Sequence, residues 1–215
     1  MSNLKIIIFG QHILNTLGQI RSFGEAGHLV YVVWLDHLPH SPKGCRYIKA
    51  FVSVNTFEEG LDYIISHFKE EGYKHFISTD SDAVVSLLDR HYDELKNYFY
   101  FFNAGEQGRL SQFMPKKKQC EIAEKYGIRV PKTELVHWGE MPQEVRFPVF
   151  TKAPDCFGVT WKEDAHICKT EDDLRQLYNK GHHDGDLLLQ EFIERENEVA
   201  VEGISLNGGD CLKSS

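Results

Sequence analysis

No stretch of this sequence is long and apolar enough to cross a membrane as a helix. Its longest apolar runs are Ile6-Ile7-Ile8-Phe9 and Leu29-Val30-Tyr31-Val32-Val33-Trp34-Leu35. Both fall far short of the roughly 20 residues such a span requires. No secretory leader is expected, because Lys5 is followed by four apolar residues and then Gly10. Positive charge is in deficit: 24 Lys and Arg against 32 Asp and Glu give a net charge of -8 with His neutral. That argues against a non-specific nucleic-acid binder, which needs a basic face, but not against a local basic pocket for a small anion. Cys45, Cys120, Cys156, Cys168 and Cys211 are odd in number and form no CxxC pair, so reduced thiols in a cytoplasmic protein are expected. Eleven histidines, among them His37, His40, His182 and His183, form no HExxH and no Cys/His ligand set, and no metal site is expected within the chain. There is no GxxxxGK(S/T), and Gly10 opens no GxGxxG, so neither nucleotide fingerprint of that kind is present. Repeats and low-complexity tracts are also lacking.

What is there reads as an ordinary globular chain. It has 215 residues, 41% hydrophobic and 26% charged, enough for one large or two small domains. Lys5 to Phe9 predicts a buried parallel strand, and Ile13 to Ala26 a helix with apolar groups at Ile13, Leu17, Ile20 and Phe23, capped at Gly27. Leu29 to Leu35 predicts the next strand, completing a strand–helix–strand unit of the doubly wound kind. Further on, Phe57 to Phe68 reads as a helix, His75 to Ser78 as a strand, Asp80 to Leu88 as a helix capped by Asp80 or Ser81, and Tyr98 to Phe102 as a strand. Gln112 to Tyr126 predicts another helix. Val149 to Lys152, Ala165 to Cys168, Leu187 to Phe192 and Val199 to Leu206 predict a mixed sheet, with a helix from Glu171 to Tyr178. The change of pattern places a boundary near residue 105, giving domains 1-105 and 106-215. Asn207-Gly208-Gly209-Asp210 reads as a hairpin turn whose returning strand should follow. The chain stops at Ser215, so a truncated chain or a gene fragment is expected.

Three segments can converge on one nucleotide. Lys116 belongs to a run of three lysines opening a helix, where cations oppose the macrodipole, so helix stability does not explain them. Lys152 shares a strand face with Phe150, where an ammonium is costly to bury unless it meets an anion. Gln190, Glu191, Phe192 and Ile193 end an apolar strand that can present backbone groups and apolar contact to a purine. Glu198 can accept hydrogen bonds from a ribose. Asp155, Cys156, Phe157 and Gly158 form a turn with one glycine, which can aim backbone N–H groups at phosphates. Each has a plainer reading: a solvated basic turn, a lysine on an exposed strand face, a strand reaching the surface, a solvated glutamate.

In this order and spacing the segments resemble the ATP-grasp superfamily over nearly the whole chain. Residues 18–30 and Ser78-Thr79-Asp80-Ser81-Asp82 resemble the Rossmann-like domain that precedes the ATP-grasp domain in carboligases and D-aspartate ligase-like proteins, and the large subunit of carbamoyl-phosphate synthase is a relative. The resemblance implies a Rossmann-like domain followed by an incomplete α+β ATP-grasp domain. It implies that Lys116 and Lys152 contact ATP phosphates, that Gln190 to Ile193 hold adenine, and that Glu198 holds the ribose. Pro115 stands where the family usually has Asp, and Ala153 interrupts the usual Lys-Pro. The family's Mg²⁺ ligands are expected beyond Ser215. The implied activity is an ATP-dependent carboxylate–amine or carboxylate–thiol ligase acting through an acyl phosphate, with this chain as its ATP-binding N-terminal part. Alternatives are a nucleotide-binding module without turnover and carbamoyl-phosphate-synthase-like phosphotransfer. The expected partners are a small-molecule carboxylate and an amine, with no nucleic acid and no membrane; a homodimer is compatible with the resemblance.

Overall fold

The computed structural model describes residues 4–36, 38, 40–152, 165–181, 185–197, 199, 203–206 and 211–214, with backbone alone for Lys117 and for the last two segments. The chain divides into two compact units, Met1–Ser111 and Gln112–Ser215. Among the described residues no helix is long and apolar enough to cross a membrane.

In the first unit β1 (Lys5–Gly10), β2 (Leu29–Leu35), β3 (Ile48–Val54), β4 (His75–Thr79) and β5 (Phe99–Tyr100) form one parallel sheet in the order β3-β2-β1-β4-β5. The helices are α1 (Ile13–Glu25), α2 (Phe57–Phe68), α3 (Asp82–Arg90) and α4 (Tyr92–Leu95). Successive β1 side chains enter two different cores. Ile7 and Phe9 pack with Leu61 and Ile64 of α2 and Val84 and Leu87 of α3. Ile6 and Ile8 pack with Ile20 of α1 and with Val30, Val32 and Trp34. A strand covered on both faces needs no polar alternation, which is why β1 and β2 read as unbroken apolar runs.

The helix ends follow their side chains. Thr56 Oγ1 accepts from Glu59 N at 3.1 Å to start α2, and Ser81 Oγ from Val84 N at 3.4 Å to start α3. After α1, Gly27 takes φ +85° while His28 N donates to Phe23 O at 3.0 Å, closing the helix in the conformation glycine adopts without strain. Gly60 serves a different need. A Cβ there would lie 2.2 Å from Phe9 Cζ, so only glycine lets α2 sit this close to the sheet.

The sequence reading misses β3, passing from the strand ending at Leu35 straight to α2. This is an edge strand in which only Val54 is buried, so it lacks the continuous apolar run of its neighbours. The expected strand from Tyr98 to Phe102 contracts to β5.

The crevice beside the carboxyl ends of β1 and β4 is where a doubly wound sheet reverses strand order and commonly takes a ligand. Here Asp80 fills the helix end. Its carboxylate accepts from Gln11 N at 2.8 Å, His12 N at 3.2 Å and Thr16 Oγ1 at 2.7 Å. The amides that would meet a phosphate at the start of α1 already hold a carboxylate.

In the second unit β6 (Thr133–His137), β7 (Val149–Lys152), β8 (Ile167–Cys168) and β9 (Asp186–Glu191) form an antiparallel sheet in the order β6-β9-β7-β8. One face carries Val136, Val149, Leu187 and Leu189 and packs on Leu174, Leu177 and Tyr178 of α6 (Glu171–Lys180). A capping box between Thr170 and Asp173 starts that helix. The expected strand from Ala165 shortens to β8, and β6 has no counterpart among the elements expected from the sequence. The expected helix from Gln112 resolves into a 3₁₀ turn at Ser111–Phe113 and α5 (Lys116–Lys125), with Pro115 at its N-cap. β10 (Gly203–Leu206) pairs antiparallel with β11 (Cys211–Ser214). The returning strand thought to be missing is therefore present in residues 211–214.

Glu134 of β6 ties down the loop after Met141. Burial pushes its carboxyl up, but the amides of Gln143 (2.9 Å), Glu144 (2.9 Å) and Val145 (3.1 Å) outweigh that and hold it below the usual carboxylate range. A depressed carboxyl stabilises above its unfolded value, about 4.3, and loses that contribution as pH falls through its folded value. Glu134→Ala is expected to cost about 1–2 kcal/mol at pH 7. In thermal unfolding the gap between wild type and variant should narrow as the pH falls below the unfolded value of about 4.3; a gap independent of pH would refute this account.

Candidate functional site

The face of the second sheet opposite α6 carries Phe150 and Lys152 of β7 and Leu188 and Gln190 of β9. Register brings them together: Phe150 stands opposite Gln190, and Lys152 opposite Leu188. A cavity of about 280 Å³ opens here, lined by Lys152, Leu188, Gln190 and Val130, and by Lys116, Gln119, Cys120 and Ala123 of α5. The spacing 116, 119, 120, 123 is one face of a helix. That signal was available in the sequence, where only Lys116 was singled out.

Lys152 is half-buried. Its ammonium donates to Gln190 Oε1 at 2.9 Å and lies 5.3 Å from the centroid of the Phe150 ring. Burial, and then the charge of Lys116, hold its pKa below the ordinary lysine value. Lys116 thus borders the same small cavity as Lys152, closely enough to disfavour the charge of Lys152. Folding gains nothing from that, whereas an anion between them would relieve it.

The basic run on α5 divides by role. Lys118 pairs with Glu121 at 3.1 Å on the exposed surface, the solvated arrangement usual for such runs. No acidic residue lies in the first turn of α5, and Pro115 offers no side-chain cap. Cations in that first turn oppose the helix macrodipole, so helix stability does not account for them.

Past Gln190 the expected purine-binding stretch is partly committed to the fold. Glu191 N donates to Lys132 O at 2.8 Å and Phe192 N to Pro148 O at 3.1 Å. Glu191 Oε2 accepts from Lys132 N at 3.2 Å, and Oε1 lies 3.5 Å from Arg129 Nη2. Ile193 is 43% exposed just beyond these bonds. The site therefore brings together Lys116, Lys152 and Gln190, with Glu191, Phe192 and Ile193 leading away from it. Glu198, and Asp155, Cys156, Phe157 and Gly158, lie outside the described residues. Among the described residues no group of three His, Cys, Asp or Glu is placed to hold a metal ion.

The fold, a doubly wound unit followed by this antiparallel unit, is shared with solved ATP-grasp structures. An L-amino acid ligase from Bacillus licheniformis superposes with a TM-score of 0.71 at 14% identity, covering 100% of this chain and 50% of that one. A carboxyaminoimidazole ribonucleotide synthase from Aspergillus clavatus, solved with ATP, gives 0.65 at 15% identity over 99% of this chain and 52% of the other. The biotin carboxylase domain of Hydrogenobacter thermophilus 2-oxoglutarate carboxylase, solved with MgADP, ADP and bicarbonate, gives 0.53 at 18% identity over 88% and 44%. The chain thus spans about half the length of these structures. No protein-family model matches the chain, and no curated protein matches it.

Proposed function

We propose that this chain is the nucleotide-binding part of an ATP-dependent ligase that joins a carboxylate to an amine or thiol. The observation that carries the proposal is the pair of ammonium groups, Lys116 and Lys152, on one 280 Å³ cavity of the second unit. Phosphoryl transfer needs charge neutralisation and positioning more than covalent chemistry, so two lysines on a phosphate chain would supply much of what this half contributes. Leu188 and Val130 give the cavity apolar wall, and the stretch Glu191 to Ile193 would carry the base. Glu198 and the turn from Asp155 to Gly158 would add the ribose and phosphate contacts. In the reaction a carboxylate oxygen would attack the γ-phosphorus and ADP would leave. The amine or thiol would then displace phosphate from the acyl phosphate.

Magnesium would neutralise the phosphates in such a reaction. The described residues offer no cluster that fits it, so no step is assigned to Mg²⁺ here. Calorimetry with ATP, ADP and adenosine, with and without Mg²⁺, tests the reading. Affinity should rise with the number of phosphates and weaken with salt, because exposed charge is screened. Adenosine binding as tightly as ATP would remove the lysines from the account. Binding of ATP that neither needs Mg²⁺ nor leads to ADP would favour a nucleotide-binding module without turnover.

A further inference from the structure

We propose that Gln190 is a positioning residue that aims the Lys152 ammonium at the cavity while leaving its charge uncompensated. The inference rests on the nucleotide reading of the site but concerns a side chain to which that reading gives only backbone contacts. The protons along the contact can be assigned without ambiguity. A lysine ammonium only donates, so the 2.9 Å contact must be to Gln190 Oε1. The amide NH₂ then faces Thr133 Oγ1 at 3.0 Å and donates to it. Thr133 in turn sends its hydroxyl proton to Pro131 O at 2.9 Å. A flip of the amide would set NH₂ against ammonium, so the chain Lys152, Gln190, Thr133, Pro131 holds one orientation.

The strand register builds this relay. β9 is a central strand, with Thr133 opposite Gln190 on one side and Phe150 opposite it on the other. Lys152 follows Phe150 by two residues and so lies on the same face. A carboxylate at position 190 would reach the same two partners. It would also neutralise Lys152 and compete with any incoming phosphate. The charged or titratable groups facing Lys152 across the cavity are Lys116 and Cys120 of α5, and the described wall holds no carboxylate. Among the described residues Lys152 is held by the neutral Gln190 amide, so it keeps its charge for a polyanionic ligand, at the cost of a destabilised ammonium in the empty site.

Two variants of the full chain test this, Gln190→Glu and Gln190→Leu, each read by two measurements. The first is the titration of Lys152, followed by NMR of ¹³C-methylated lysines and assigned with Lys152→Arg. The second is ATP affinity by calorimetry. Gln190→Glu should move the Lys152 titration upward, leave the melting temperature no lower, and weaken ATP about tenfold. Gln190→Leu should leave the titration at or below its wild-type position and weaken ATP about threefold, through lost orientation alone. A Lys152 titration unchanged by Gln190→Glu, or raised equally by Gln190→Leu, would overturn the proposal. If wild type binds no ATP the nucleotide reading fails, while the titrations still decide the role of Gln190. Should Gln190→Glu not fold, Gln190→Leu decides alone, since a raised Lys152 titration in that variant contradicts the relay.

Discussion

Lys152→Met is expected to stabilise the protein and at the same time to remove most of its affinity for ATP. The two effects have one cause. Burial and the charge of Lys116 hold the Lys152 pKa below that of the unfolded chain, so charging the ammonium costs more in the folded state. For a base whose folded pKa is depressed, stability rises with pH between the folded value and the unfolded value of about 10.4, and the penalty is present in full below the folded value. A methionine fills much the same space without charge and should gain about 0.5–1 kcal/mol at pH 7, as loss of a functional strain commonly does. Part of the gain is offset because Gln190 Oε1 loses its donor, though Gln190 is itself only half-buried and water can replace it. An ATP phosphate would lose a charge-assisted hydrogen bond in a partly dry cavity, about a 100-fold drop in affinity. Urea unfolding and calorimetry on the same preparations check both signs. A variant that loses stability and affinity together would make Lys152 a structural lysine, and unchanged affinity would place the nucleotide elsewhere.

The opposition of these effects also shows what the sequence could reveal. Position and periodicity mark Lys152 as sharing a partly buried strand face with Phe150, and local helix energetics fail to explain Lys116. A residue that its own element does not need is legible before the structure is. The doubly wound unit is legible for a related reason: β1 and β2 are covered on both faces, and such strands announce themselves as apolar runs. What stays hidden is decided across strands. Gln190 looks like one residue of an apolar strand end until register sets it between Thr133 and Lys152. Strand β3, half-exposed at a sheet edge, and β6, whose inner side packs a single Val136, carry too little hydrophobic pattern to be seen. Of the two caps that the sequence offers for α3, Asp80 and Ser81, Asp80 serves another helix. Ser81 caps α3, and the Asp80 carboxylate crosses to the start of α1. A bond between residues 64 to 69 positions apart leaves no local pattern to read.

Asp89 gives the largest expected loss of stability among the polar side chains of the first unit. It ends up fully buried near the close of α3, where a carboxylate is rare unless its oxygens are satisfied. Leu110 N donates to Oδ1 at 3.2 Å, and Ser111 supplies both its amide (2.8 Å) and its hydroxyl (2.7 Å) to Oδ2. The Asp89 backbone carbonyl accepts from Gly108 N at 3.2 Å, so one residue anchors the whole of the segment from 108 to 111. Asp89→Ala would strand two amides and leave the Ser111 hydroxyl only Ser86 Oγ at 3.2 Å, costing about 3 kcal/mol. In a unit of this size that corresponds to a melting temperature lower by about 10–20 °C. Ser111→Ala removes the hydroxyl bond to Asp89 and the contact with Ser86 Oγ, and should cost about 1 kcal/mol. The double variant should then be less destabilised than the two single losses summed, because the hydroxyl contact is counted in both. Strict additivity in calorimetric melting would mean that Asp89 and Ser111 stabilise the unit independently, and the segment would have to be held by its backbone alone.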